Sequence, residues 1–325
     1  MIHYPKTREE WLALRHKYVS STESAGLKGL SPYITAFELF HDKAQKEPTA
    51  FESSERMEWG TRLEETIAKG IAEKYGLKVR KLNAYVSRDG TGMGSSFDFE
   101  IVGIKDDAEV DDPCLQEMYI KCGAGILEIK NVDYFIFKRE WATFDDQREA
   151  PTHIEIQVQH QLHVIEREWA AIGVLVGGNK LEMLIRDYDP EVGASLEETV
   201  KKFWKDLKAG KRPPPELPQD ANLLMQIYNY SEPGKVIDAQ GDGEQSQALE
   251  KACKQYQQGM EYEKMGKDLK EIAKAEIIMI IGDAEKAVVR GGFKISAGLV
   301  GETQVPAFTR KAYRNIRVTH REVTT

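Results

Sequence analysis

The sequence predicts an α/β fold, with a mixed β-sheet flanked by helices and a C-terminal extension of helix and short strands. Three observations predict it. Short runs rich in β-branched and aromatic residues alternate with segments of helical periodicity. All five tryptophans (Trp11, Trp59, Trp141, Trp169 and Trp204) fall before residue 210. The run Arg212-Pro213-Pro214-Pro215-Glu216-Leu217-Pro218 then interrupts regular structure, because proline has no amide donor to give. A boundary is expected there, dividing the chain into domains 1–212 and 213–325.

In chain order, residues 57–75 read as an amphipathic helix, with Leu63, Ile67 and Ile71 on one stripe and Gly76 as its stop. Residues 79–87, 96–102, 126–130 and 171–176 read as strands separated by glycine and aspartate turns. Residues 152–166 supply a helix before the last of them. Gly90-Thr91-Gly92-Met93-Gly94 lacks the Lys-Ser/Thr of a phosphate-cradling loop and reads as a turn into the Asp98 strand. Beyond the prolines, residues 244–281 are helix-prone, as one arm or a hairpin. Residues 287–295 and 312–319 return to strand-like composition, the second with Arg310, Lys311, Arg314 and Arg317 in or beside it.

At 325 residues and 41% hydrophobic content, the chain can bury one large core and still carry an appendage. No window approaches the roughly 18 apolar residues of a membrane span, and residues 1–8 lack a signal-peptide layout, so a cytoplasmic address is expected. Three cysteines without Cys-x-x-Cys spacing exclude a disulfide framework and an iron–sulfur or zinc cluster. The net charge of −8 does not exclude a nucleic-acid partner. Carboxylates gather in stretches such as Asp106, Asp107, Glu109, Asp111 and Asp112, which leaves room for a basic groove elsewhere. The lysines at 201, 202, 205, 208 and 211, with Arg212, read as a solvated helix end or as phosphate contacts. His160 and His163, among glutamines on a helix and without a third ligand nearby, read as surface residues.

Chemistry concentrates in Ile126-Leu127-Glu128-Ile129-Lys130, preceded by Asp98 in Ser95-Ser96-Phe97-Asp98-Phe99-Glu100. Alternation along a strand puts Glu128 and Lys130 on one face, a carboxylate beside an ammonium. Asp98 on a neighbouring strand adds a second carboxylate, and together they suit Mg²⁺, a hard cation that prefers oxygen ligands. Such an ion lowers the pKa of a bound water, and a nearby lysine can orient or deprotonate that water. Two other acidic-x-Lys triplets, Asp206-Leu207-Lys208 and Asp268-Leu269-Lys270, lie in polar helix-like stretches and lack this setting.

Six motifs occur in order: Trp11-Leu12-Ala13-Leu14-Arg15; Ser20-Ser21-Thr22-Glu23-Ser24 with Leu30-Ser31-Pro32-Tyr33; Trp59-Gly60-Thr61-Arg62-Leu63-Glu64-Glu65; Asp98; Glu128-Ile129-Lys130; and Gln157-Val158-Gln159. In this order the chain resembles the phage lambda-type exonucleases, the YqaJ-like viral recombinases of the PD-(D/E)xK nuclease superfamily, over about residues 5–205. The resemblance implies a restriction-endonuclease-like core. It implies Asp98, Glu128 and the carbonyl of Ile129 as metal ligands, Lys130 as activator of the attacking water, and Gln157 near the active site or the DNA backbone. Glu64 would hold water or a second ion, with Glu65 as the rival; otherwise Glu64 is a helix carboxylate paired with Arg62 or Lys69. Arg15, Thr22 and Ser96 fall at the positions that bind a DNA 5′-phosphate, with Ser20, Ser21 and Ser24 as competing hydroxyls. Thr22 stands where the best-known relative has serine, and Phe97 where proline often precedes the catalytic Asp.

The activity so implied is 5′-to-3′ exonucleolytic digestion of one strand of linear duplex DNA, with two Mg²⁺ ions, or Mn²⁺ in their place. Its product is a 3′ single-stranded tail for phage-type recombination. The implied partners are duplex DNA ends, a single-strand annealing protein and two further copies of the chain in a ring-like homotrimer, in the cytoplasm of a bacterial host and of phage or prophage origin. The alternatives are a RecB-like or Cas4-like nuclease of other polarity, and a non-catalytic DNA-end-binding protein.

Overall fold

The computed structural model describes residues 1–47, 53–105, 113–141, 143–144 and 147–301. It divides into two compact units, Met1–Leu223 and Leu224–Thr325. The first contains β1 (Ile2–His3), α1 (Arg8–Lys17), α2 (Ser21–Leu27), α3 (Ala36–Lys43), α4 (Glu55–Lys74), β2 (Leu77–Lys81), β3 (Tyr85–Arg88), β4 (Met93–Ser96), β5 (Phe99–Ile104) and α5 (Pro113–Cys122). It continues with β6 (Gly125–Val132), α6 (Tyr134–Glu140), β7 (Thr143–Phe144), β8 (Gln147–Arg148), α7 (Thr152–Ile165), β9 (Trp169–Val176), β10 (Lys180–Asp187) and α8 (Pro190–Lys208). Helix α9 (Ala221–Ile227) spans the division, and α10 (Glu244–Ile281), β11 (Lys286–Val288) and β12 (Lys294–Ser296) belong to the second unit.

The central sheet has strand order β10-β9-β6-β5-β2, with β6 and β9 parallel and every other pair antiparallel. Its middle strand is buried on both faces, which is why residues 126–129 are almost continuously apolar. Ile126 and Val132 pack with Val158 and Leu162 of α7 and Leu196, Val200 and Phe203 of α8. Leu127 and Ile129 pack on the other face with Ile67, Ala68 and Ile71 of α4 and Leu115 of α5. The result is the mixed sheet between helices that the sequence predicts. Helix starts are written locally: Thr7, Thr35, Ser54, Asp133 and Asp189 each accept a backbone N–H of the first turn, and Ser20 with Glu23 closes a reciprocal capping box. Gly76, at φ +64, ends α4 as expected.

Two expected strands are each two strands. Residues 79–87 leave the central sheet after Lys81 and continue as β3 in a second sheet of order β1-β3-β4. Residues 96–102 break at Phe97-Asp98, so β4 lies in the small sheet and β5 in the central one. At the break the Asp98 carboxylate accepts the N–H of Ile129 at 2.8 Å, doing with a side chain what the ladder otherwise does with a carbonyl. The expected turn at residues 90–94 joins β3 to β4. Gly92 holds φ +76 there, and a Cβ would meet the Trp204 indole at 2.3 Å.

The expectation that His160 and His163 lie on the surface is wrong. His160 is fully buried, with Nδ1 2.6 Å from Ser24 Oγ and Nε2 3.1 Å from the Gly94 carbonyl. His163 is buried between Tyr188 Oη and Glu197, each at 2.7 Å. Helix α7 is sandwiched by α2, α8 and the small sheet, and its polar residues are satisfied inside the protein.

Past Arg212, whose guanidinium lies 5.6 Å from the Phe37 ring centre, the chain stays on the first unit. Asp220 is buried and accepts the Thr35 hydroxyl at 2.7 Å. In the second unit α10 is one unbroken arm of 38 residues, and Gly282 at φ +57 ends it. The strand-like run 287–295 is a small hairpin, β11 against β12, turned at Gly291 and Gly292. Residues 312–319 and the arginines and lysine at 310, 311, 314 and 317 lie outside the described residues, as do Asp106, Asp107, Glu109, Asp111 and Asp112. No helix among the described residues is long and apolar enough to cross a membrane.

Candidate active site

The register of β5 on β6 pairs Phe99 with Leu127 and Glu100 with Ile126, and Asp98 stands just before β5, at the mouth of that ladder. Its carboxylate, bonded to the Ile129 N–H, lies close enough to Glu128 for the two charges to act on one another. Glu128 is buried and fully engaged. Lys130 Nζ donates to Glu128 Oε1 at 2.5 Å, Gln157 Nε2 donates to the same oxygen at 2.7 Å, and Gln161 Nε2 donates to Oε2 at 2.7 Å. Gln157 Oε1 accepts from Lys130 at 3.1 Å, closing a ring of lysine, amide and carboxylate.

Burial, reinforced by the negative charges of Glu128 and Glu64, pushes the Asp98 carboxyl well above the usual aspartate range, against the pull of Lys130 and the Ile129 N–H. For Lys130, burial favours the neutral amine, but Glu128 and Asp98 outweigh it and hold the ammonium above its ordinary value. Carboxylates crowded so closely that one resists ionisation are a donor set that a hard divalent cation satisfies, and in that respect Asp98 and Glu128 fit such an ion. Among the described residues no three His, Cys, Asp or Glu side chains converge as a ready-made metal cluster, so these two carboxylates would need backbone and water oxygens to complete a shell.

Of the two helix acids, Glu64 is the one that acts electrostatically on Asp98. It lies one turn before Ile67 and Ala68 on the buried stripe of α4, and its charge partner is Lys81 of β2 at 3.3 Å. Neither Arg62 nor Lys69 pairs with it: Arg62 pairs with Glu58, and Lys69 with the exposed Glu65. Glu100, two residues past Asp98, is a buried carboxylate bound by Arg80 and Arg167 and belongs to the scaffold.

A second polar cluster adjoins the first. Arg15 donates to Ser20 Oγ at 3.2 Å, Thr22 Oγ1 at 3.3 Å and Glu23 at 3.4 Å, and its guanidinium covers the Trp11 ring at 4.8 Å. Trp11 Nε1 in turn donates to Ser96 Oγ at 2.7 Å. Arg15, Thr22 and Ser96 are thus linked through Trp11. Of the competing hydroxyls, Ser20 shares the Arg15 contact, whereas Ser21 is tied to Ser95 and Ser24 to His160.

Sequence reasoning missed Gln161 and the bridging role of Trp11. The signal for Gln161 was present: on a helix the residue sharing a face with Gln157 is four positions on, not two. Gln159, quoted in the motif, faces away and bonds the backbone of Asp187 and Asp189.

Residues 10–168 match the family model of the YqaJ-like viral recombinase domain, a span that holds all the site residues named above. The chain is 29% identical over 237 residues to the uncharacterized protein YqaJ of Bacillus subtilis (strain 168), covering 71% of this chain and 67% of that one. Among solved structures it is similar to the alkaline exonuclease LHK-Exo of Laribacter hongkongensis, at 16% identity and a TM-score of 0.45, covering 66% of this chain and 99% of that one. A phage-related exonuclease of Haemophilus somnus 129PT is similar at 13% identity and a TM-score of 0.39, covering 62% and 99%. Through residues 10–168 the chain is thus similar to the YqaJ-like viral recombinase domain.

Proposed function

We propose that the chain is a Mg²⁺-dependent deoxyribonuclease that digests one strand of linear duplex DNA from its 5′ end, leaving a 3′ single-stranded tail for recombination by single-strand annealing. The observation that carries this reading is the approach of Asp98 to Glu128 where β5 meets β6, with Lys130 and Gln157 bonded to Glu128. Asp98, Glu128 and the carbonyl of Ile129 would hold the ion, and Glu64 would hold water or a second ion from the α4 side. The cation, with Mn²⁺ as a substitute, would supply charge neutralisation at the phosphate and would acidify a bound water.

The protein's own groups do the rest. Gln157 and Gln161 fix both oxygens of Glu128, so the carboxylate cannot rotate away from the site. Lys130, held as an ammonium by Glu128 and Asp98, orients the attacking water; were that negative charge shared with a cation, it would release its proton to solvent and could then accept one from the water. Arg15, with Thr22 and Ser96, holds the terminal 5′-phosphate, the guanidinium by charge and the hydroxyls by donation. The catalytic domain is the region before the prolines, residues 1–212, and 213–325 form its extension. The molecule works as a ring-like homotrimer with a single-strand annealing protein, in the cytoplasm of a bacterial host.

The test is release of acid-soluble nucleotides from linear duplexes labelled at either end, with and without a 5′-phosphate, in Mg²⁺ or EDTA. Wild type should release the 5′ label first and only with metal, and Lys130→Ala should lose on the order of 100-fold or more. No cleavage by wild type in any condition would leave a DNA-end-binding protein. Release of the 3′ label first would assign the opposite polarity.

A further inference from the structure

Helix α7 carries more of the site than the two amides on Glu128. His153, Gln157 and Gln161 recur every four residues and form one stripe. Its inner end, Gln161, is buried beside Glu128; its middle, Gln157, touches both Glu128 and Lys130. His153, in the first turn, is therefore the outer end of the stripe, one turn above Lys130's amide partner. It is half-buried, and burial together with the charge of Lys130 holds it below the ordinary histidine value, so its ring is neutral at pH 7.

Over this ring stands Tyr33. The two meet edge to face, with ring centres 5.4 Å apart and planes at 82°. Tyr33 is 77% exposed, among the most exposed aromatic side chains of the first unit. The segment between α2 and α3 is not loose at this point: Ser31 Oγ accepts the N–H groups of both Tyr33 and Ile34, at 3.1 and 3.3 Å, a side-chain turn that fixes the backbone presenting the ring. An exposed aromatic, held rigidly beside a neutral imidazole at the rim of a phosphodiester site, has the geometry of a base-stacking platform. Such platforms act on any base, because every base offers a π face.

We propose that Tyr33, backed by His153, stacks on the nucleobase next to the scissile phosphate and so positions the end of the digested strand over Asp98, Glu128 and Lys130. The inference rests on the nuclease reading above. Tyr33 is a positioning residue: it sets where the strand sits, through the base, and takes no part in proton transfer.

The experiment compares wild type, Tyr33→Ala and Tyr33→Phe on 5′-phosphorylated duplexes whose first two nucleotides are either normal or abasic. A parallel series carries 2-aminopurine at the first position, with Ca²⁺ in place of Mg²⁺ to follow binding. Tyr33→Ala should lose on the order of 10-fold in kcat/KM on normal ends. It should lose nothing more on abasic ends, where wild type has already fallen to the same level. Tyr33→Phe, which keeps the ring, should retain the discrimination between normal and abasic ends. Binding should quench 2-aminopurine with wild type and Tyr33→Phe but not with Tyr33→Ala. Equal rates for wild type and Tyr33→Ala on normal ends, or an Ala loss that persists undiminished on abasic ends, overturns the inference while the nuclease stands. If wild type cuts nothing, the nuclease reading falls, and the 2-aminopurine series alone decides whether Tyr33 stacks on a base.

Discussion

Replacing Gln161 by Leu removes the donor to Glu128 Oε2 and the weaker contact to the Ser96 carbonyl at 3.3 Å, in a helix face with no access to water. A hydrogen bond to a charged, buried acceptor is worth about 1.5–3 kcal/mol, and an acceptor stripped of its donor adds to the cost. Partial relief comes from Gln161 Oε1, a buried acceptor with no hydrogen-bond partner among the described residues, which disappears in the variant. The net destabilisation should be about 2 kcal/mol. Gln159→Leu is the control. Its amide bonds the Asp187 carbonyl and the Asp189 N–H at a solvent-facing site, so about 1 kcal/mol or less is at stake and Glu128 is untouched. Urea denaturation of both variants gives the stabilities, and nucleotide release from duplex ends gives the activities. Gln161→Leu should lower both, the activity because Glu128 is then held by one amide and not two; Gln159→Leu should leave activity near wild type. If Gln159→Leu abolishes cleavage while Gln161→Leu cuts normally, the assignment of the α7 face is wrong, and with it the positioning of Glu128.

The two helix acids should separate in the same assay: Glu64→Gln is expected to cut nucleotide release roughly 10- to 100-fold, as loss of an outer partner of a metal site does, while Glu65→Gln, which breaks only an exposed pair with Lys69, stays near wild type. Arg15→Lys should erase most of the preference for phosphorylated over hydroxyl 5′ ends, roughly 10-fold or more, because a single ammonium cannot reproduce the two-pronged hold of a guanidinium on a phosphate; an unchanged preference would remove Arg15 from the end-binding role. Stability should fall with acidity through His160. Burial lowers its pKa from 6.5 to about 4, so its contribution is complete above pH 6.5 and drains away as the unfolded chain takes up a proton between pH 6.5 and 4. The loss should reach about 3 kcal/mol and be missing from the urea curves of His160→Gln; an identical pH dependence in that variant would show that other groups carry it.

Much of this architecture was legible because local and long-range signals agree. The stripe of Leu63, Ile67 and Ile71, the positive-φ stop at Gly76 and the apolar strand 126–130 all appear where their periodicities place them. What stayed hidden depends on partners distant in sequence. Nothing between residues 79 and 87 says that Lys81 pairs with β5 while Tyr85 pairs with β1 and β4, since both halves are equally strand-prone. His160 and His163 look like surface residues because their satisfaction comes from Ser24, Gly94, Tyr188 and Glu197, as far as 136 positions away. That Glu64, and not Glu65, comes near enough to act on Asp98 needed only the helical period, once Ile67 and Ala68 were known to face the sheet.

The broken strand at Phe97-Asp98 joins these observations into one argument. A straight strand through residues 93–104 would have kept Asp98 in the ladder, its side chain fixed by pleat alone. By ending β4 at Ser96 and restarting at Phe99, the chain turns Asp98 toward the Ile129 N–H while leaving Ser96 in the small sheet, where Trp11 and the Gln161 amide reach it. Asp98, at the break, and Ser96, at the end of the small sheet and bonded to Trp11, are thereby held two residues apart in the chain. On the proposed reading, a strand end seated by Arg15 would meet Asp98 at a separation set by that junction, and Phe97, itself buried in the core, pins the junction. Phe97→Ala should therefore reduce cleavage at phosphorylated ends more than its loss of about 3–5 kcal/mol in stability explains, when activity is measured per folded molecule. A proportional loss would mean that the junction serves the core alone.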